Sequence, residues 1–267
     1  MTVPTTRLGS LTVSRLVMGG NPISGFSHGN PERTKAMLDY FTAENAKKLL
    51  RRCEECGVNT VFLRADNHVI RLLYEYWNQG GKIQWVAQTA TGEDQVANIK
   101  KAKQFGAKGV YLHGGTMEDS FSQGRKDDIR RQIGTIQELG MPAGCASHYP
   151  PYLLEIQDLG WNPDFYLVCM YHIEGYKGKL GIEQNEKFRP EDRGRALAAI
   201  RQLEKPCFAY KIMAAGRIPP REAFREVFSA IKPTDGVNVG MFPPDGKTGD
   251  IVAENVALAS EFAGLSR

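Results

Sequence analysis

Eight times along this chain a short run rich in β-branched and aromatic residues is followed by a longer stretch with helical periodicity, and this alternation restricts the fold more than any other feature. Alternation of that kind means parallel strands joined by crossover helices. The strand runs are RLVMGG (15–20), NTVFLRA (59–65), IQWVAQT (83–89), GVYLHG (109–114), PAGCAS (142–147), FYLVCMY (165–171), PCFAYKIM (206–213) and VNVGM (237–241). Between and after them, AENAKKLLRRCEECG, VIRLLYEYWNQGG, EDQVANIKKAKQFG, DDIRRQIGTIQELG, PYLLEIQDLG, EDRGRALAAIRQLE, REAFREVFSAI and GDIVAENVALASEFAG carry the 3.6-residue spacing of helices. Gly57, Gly106, Gly140 and Gly160 stand just past the last apolar position of their helices, where a C-cap is expected.

Eight such units in 267 residues predict an α/β fold of the (β/α)8 TIM-barrel type, one domain spanning 1–267. A doubly wound sheet lacks support, because no G-x-G-x-x-G follows the first run. Ahead of that run, TTRLGSLTVSRL reads as a short N-terminal β-hairpin turning at Gly9–Ser10, with Leu8, Leu11 and Val13 plugging the barrel floor. Two connections are too long to be simple joints, residues 20–41 and 172–190. Both follow strand ends on the side where barrels build active sites, and both are expected to be loops that cover a substrate.

Composition narrows the partners. A net charge of +4, with no concentrated basic patch, gives no reason to expect nucleic acid or a membrane surface. No apolar run approaches the roughly 20 residues of a membrane span, and residues 1–30 show no secretory pattern. Five cysteines, an odd number, argue against a disulfide framework and for a reduced, cytoplasmic setting. Cys53 and Cys56 form a C-x-x-C inside a helical stretch, which reads as two residues on adjacent turns. The expected partner is a small-molecule substrate.

All five histidines fall at or just beyond strand ends, where a barrel gathers its chemistry. His28 and His68 follow the first and second runs; His113, His148 and His172 follow three neighbouring ones. Strands about 4.8 Å apart bring the last three within reach of one another. They permit general acid–base chemistry or a divalent metal site with Asp66 as an oxygen ligand. Lys211, at the mouth end of an apolar run, is a candidate to stabilise an oxyanion or form a Schiff base. Arg64, Gln88, Arg217 and Asn21 are candidate substrate contacts at the same rim, Arg64 and Asp66 forming a candidate ion pair. Asp245 and Lys247, ahead of the last helix, are a further candidate anion site.

These segments resemble the aldo-keto reductases along nearly the full chain. RLGSLTVSRLVMGGNPISG is similar to that family's R-L-G-x-T-G-L-x-V-S-x-L-x-L-G opening, and AENAKKLLRRCEECGVNT to its first helix and second strand. YLHGG resembles the strand end carrying the family's catalytic histidine, here His113. CASHYP stands for V-S-N-[FY], with Ser147 matching and His148 replacing Asn. FAYKIMAAGR stands for A-Y-S-P-L-A-G-G, with Tyr210 matching and Lys211 replacing Ser, and DIVAENVALA resembles the final helix with its pair Glu254 and Asn255. The resemblance implies NAD(P)H as cofactor, its nicotinamide held by Ser147 and stacked on Tyr210. The family's Asp, Tyr, Lys and His tetrad is incomplete, however. FLRADNHVIRLLY replaces F-D-T-A-x-x-Y-G, so Asp66 is offset and the Tyr is missing, and Gln88 takes the place of Lys. Carbonyl reduction would then lack its proton donor.

The expected function is acid–base chemistry of isomerase, lyase or hydrolase type on a small polar carbonyl or sugar-like substrate. His113, Lys211, Asp66, His148 and His172 would carry it, with His113, His148 and His172 as the metal ligands if one binds. An NAD(P)H-dependent oxidoreductase is the alternative, and a non-catalytic binding barrel the third reading.

Overall fold

The computed structural model describes residues 3–171, 188–243 and 249–266. Two short strands, β1 (Thr5–Leu8) and β2 (Leu11–Ser14), pair antiparallel around Gly9, whose φ of +55° suits the turn. Then come β3 (Leu16–Gly19), α1 (Pro31–Tyr40), α2 (Ala43–Glu55), β4 (Thr60–Arg64), α3 (Asn67–Asn78), β5 (Gln84–Gln88), α4 (Gln95–Gln104) and β6 (Gly109–Leu112). They are followed by α5 (Gly114–Ser122), α6 (Lys126–Glu138), β7 (Ala143–Ser147), α7 (Pro150–Asp158), β8 (Phe165–Cys169), α8 (Pro190–Gln202), β9 (Cys207–Tyr210), α9 (Pro220–Phe228), β10 (Gly236–Gly240) and α10 (Ile251–Phe262). Strands β3 to β10 are all parallel and close into a barrel, β10 pairing with β3. This is the predicted (β/α)8 architecture, and each predicted strand run contains its observed strand to within a residue or two.

Register explains how the inside is filled. Residues paired across parallel strands share a face, so Phe62, Val86, Tyr111, Ala146, Leu167 and Phe208 all look toward the axis. Phe62 sits centrally, its ring 5.5 Å from that of Tyr111, 6.2 Å from Phe165 and 5.2 Å from Phe208. Leu8 and Val13 of the hairpin close the floor, as expected, with Leu11 packed at their edge. Gly144 makes room for this cluster, since a Cβ there would meet the Phe165 ring at 2.4 Å. Outside the strands a second cluster, including Leu50, Leu73, Ile99, Ile133 and Phe224, is the apolar stripe of the surrounding helices. Gly57, Gly106, Gly140 and Gly160 adopt positive φ at the helix ends.

Two helices lie where none was expected. The 20–41 excursion contains α1, opened by Asn30 as N-cap and Pro31 at the first helical position. The stretch after His113 forms α5 before α6 begins. The other long connection, apart from Phe188–Pro190, lies outside the described residues, as do His172, Asp245 and Lys247. Cys53 and Cys56 are free thiols, the first buried and the second partly exposed, as are the buried Cys145, Cys169 and Cys207. Among the described residues no helix is long and apolar enough to cross a membrane.

Candidate active site

One pleat beyond the aromatic layer, Arg64, Gln88, His113, His148, Cys169 and Tyr210 occupy the inward positions at the carboxyl ends of their strands. His113 follows β6 and caps α5. Its Nδ1 accepts the Thr116 backbone N–H at 3.3 Å, while the His113 backbone N–H donates to Thr89 Oγ1 at 3.0 Å. An Nδ1 that accepts leaves the proton of the neutral ring on Nε2. Burial, then the neighbouring charges of His148 and Arg64, push His113 down to about 4, Glu118 acting against this and Lys211 adding to it. The ring is therefore neutral at pH 7 and presents an N–H donor.

His148 is held the opposite way. It follows β7, is buried, and its Nδ1 lies 3.3 Å from Oε1 of Glu118 on α5. The carboxylate beside Nδ1 keeps a proton there in either charge state of the ring, so His148 gains and loses its second proton at Nε2. Glu118 also accepts the His148 backbone N–H and, at 2.8 Å, the Ser147 hydroxyl. Burial alone would raise Glu118; the hydrogen bond and charge of His148, its backbone N–H and Ser147 outweigh that and hold the carboxyl below its ordinary value. Glu118 is thus an ionised, buried carboxylate orienting an imidazole, a relationship absent from the sequence reading.

Lys211 breaks from β9 with φ +60°, in the left-handed region that a residue with a Cβ seldom adopts. Its Nζ is buried, 5.8 Å from the Tyr210 ring centroid, and its charge reaches both His113 and Cys169. Arg193 of α8 holds the turn: Nη1 donates to Ile212 O at 2.7 Å and to Tyr171 Oη at 2.9 Å.

The remaining predicted residues divide. Asp66 is the N-cap of α3, its Oδ1 accepting from Val69 N at 2.9 Å, and its other oxygen is 3.6 Å from Arg64 Nε. That is the expected ion pair, in a carboxylate committed to a helix end rather than to the inner ring of groups. Arg64 donates to Thr91 Oγ1 at 3.1 Å and lies 5.9 Å from the Phe26 ring. Asn21 Nδ2 is 2.9 Å from His28 Nε2 in the β3–α1 segment, and Arg217 stacks on Phe188 at 4.4 Å. His68, expected to precede its helix, lies exposed on the first turn of α3. Among the described residues no three His, Cys, Asp or Glu side chains group as a metal site, so the metal expectation turns on His172, which lies outside them.

No protein-family model matches the sequence, and no curated protein matches it. Solved structures do share its fold. One is assigned as an aldo-keto reductase from Pseudomonas aeruginosa, with TM-score 0.63, 17% identity, and 97% of this chain and 96% of that one covered. Another is an aldo-keto reductase from Bacillus halodurans in its holo form, with TM-score 0.58, 13% identity, and coverage of 99% and 97%. A truncated 3-deoxy-D-arabino-heptulosonate 7-phosphate synthase from Thermotoga maritima aligns with TM-score 0.55, 11% identity, and coverage of 99% and 92%. The chain is thus aldo-keto-reductase-like in fold over nearly its whole length.

The nicotinamide that this resemblance implies does not fit the residues in place. Ser147, expected to hold its amide, is fully buried with its hydroxyl on Glu118. Tyr210, expected to stack on it, has Lys211 Nζ over its ring and His148 edge-on at 5.7 Å.

Proposed function

We propose that this chain is an enzyme that moves a proton next to the carbonyl of a small polar substrate, in an isomerase or lyase type of reaction. The observation that supports it best is the pair of imidazoles held in opposite tautomers at one barrel mouth. His113 presents Nε2–H to the carbonyl oxygen and stabilises the enediolate as charge develops there. A neutral imidazole at a helix N-terminus serves that electrophilic role in triosephosphate isomerase. His148, oriented by Glu118, accepts the proton from the adjacent carbon at Nε2, as a carboxylate-oriented imidazole does in hydrolytic triads. Lys211, with Nζ buried over the Tyr210 ring, acts by charge: it favours the neutral form of His113 and the anionic intermediate.

The test is exchange of the α-proton in heavy water, followed by NMR over a panel of small hydroxyaldehydes and hydroxyketones. Exchange catalysed by the wild type and abolished in both His113→Ala and His148→Ala is the expected result. Exchange that survives either substitution would refute the role assigned to that ring.

A further inference from the structure

A cavity of about 400 Å³ opens beside His113, between the β5–α4 connection and helices α5 and α6. That size is within the range of small-molecule sites, roughly 300–1,000 Å³. His113 lines it, and so does Thr91, the residue bonded to Arg64, so the cavity borders the barrel mouth at these two residues.

The character of the wall selects its occupant. Val96 is its one purely aliphatic side chain of any length; Thr91, Thr116, Gln95 and Gln132 supply hydroxyls and amides that donate and accept. Both arginines of the wall are engaged by Asp128, and Glu93 is paired from just outside it. Asp128 lies 3.3 Å from Arg125 and 2.9 Å from Arg131, and Glu93 lies 3.6 Å from Lys101. Helices α4 and α5 both begin at the cavity, yet Asp94 and His113 already take first-turn amides, at Ala97 and Thr116. Asp94 and Asp119 line the wall as well. A phosphate or carboxylate would meet these carboxylates and find the arginines engaged. Hydroxyl groups, which both donate and accept, match the wall without bringing a charge.

We propose that this cavity holds an uncharged, hydroxyl-bearing tail of the substrate, so that the carbonyl compound acted on at His113 is polyhydroxylated and carries no phosphate. The proposal rests on the carbonyl site proposed above, but its binding step can be read separately.

Saturation-transfer NMR on the full chain, with sorbitol, sorbitol 6-phosphate and glucosamine as probes, tests it. Sorbitol is expected to bind saturably, and the phosphate ester at least about tenfold more weakly, a difference of about 1.4 kcal/mol. Gln132→Leu and Asp119→Ala, each checked for native circular dichroism, should each weaken sorbitol binding severalfold, whereas His148→Ala, outside the cavity wall, should retain it while losing proton exchange. No sorbitol signal from folded wild type, tighter binding of the phosphate ester or of the amine, or binding unchanged in both wall variants would overturn the proposal. Sorbitol binding without any proton exchange in the wild type would instead count against the chemistry assigned to His113.

Discussion

Arg193 and Ile212 are joined by a hydrogen bond of 2.7 Å from guanidinium to backbone carbonyl, one residue beyond the left-handed turn at Lys211. The donor is buried, and the same side chain reaches Tyr171 and pairs with Glu226. A strained residue persists only where its surroundings over-determine it, and Arg193 supplies that constraint from a neighbouring helix. Arg193→Met fills similar space without the bonds. It should lower stability by about 2–3 kcal/mol, since a buried carbonyl and a phenol lose their partner. A fall in urea midpoint with unchanged slope is the readout.

Lys211→Gly separates strain from function. Glycine adopts φ +60° freely, so the variant should be as stable as wild type or more stable by up to about 1 kcal/mol. Proton exchange on any substrate should fall, because the buried charge is gone. A thermal melt and an exchange assay on the same sample decide both points.

The His113 ring makes stability pH-dependent in a defined window. Its folded value of about 4 lies below the 6.5 of the free side chain, so the unfolded chain binds the extra proton between them. Stability is therefore fully present above pH 6.5 and declines as pH falls toward 4, by up to about 3 kcal/mol. His113→Asn, which keeps a capping side chain, should flatten that decline in urea unfolding measured across the window. Nitrogen chemical shifts of the wild-type ring should show Nε2–H and no protonation at pH 5.5.

Glu118 acts lower on the scale. Its folded value is depressed, so its contribution is present above 4.5 and is lost as pH falls through the folded value. Glu118→Gln should cost about 10- to 100-fold in proton-exchange rate through a misoriented His148, with little change in substrate KM. If Glu118→Gln left the rate intact, the carboxylate would not be orienting the base.

Gly144 probes the barrel interior. A Cβ there would meet the Phe165 ring at 2.4 Å and Tyr111 Cβ at 2.8 Å, both in a closed layer. Gly144→Ala should destabilise by about 1–3 kcal/mol, and Gly144→Val by more, in equilibrium unfolding.

Much of this was written locally in the chain. A run such as TVFLR or FYLVC declares a strand by its own composition, and helical spacing repeats within a few turns, so eight alternating units could be counted without any contact being known. Even α1 left a readable signal, Asn30 followed by Pro31, which marks a helix start. Helix α5 left none that was decisive. Gly114 and Gly115 open it against propensity, and its cap is a histidine rather than one of the usual oxygen-bearing residues. Missing that helix hid Glu118, and with it the tautomer of His148.

The architecture follows from periodicity, a short-range property that any window of the sequence carries. The chemistry depends on which nitrogen of each imidazole holds a proton, and that is set by a partner brought close only when the barrel closes. Glu118 and the His148 backbone are thirty residues apart in sequence, yet hydrogen-bonded across one strand–helix unit. Arg193 and Ile212 are nineteen apart and meet where the side chain from α8 reaches the turn after β9. Hydrogen bonds act over about 3 Å, so only the folded barrel could assign these roles.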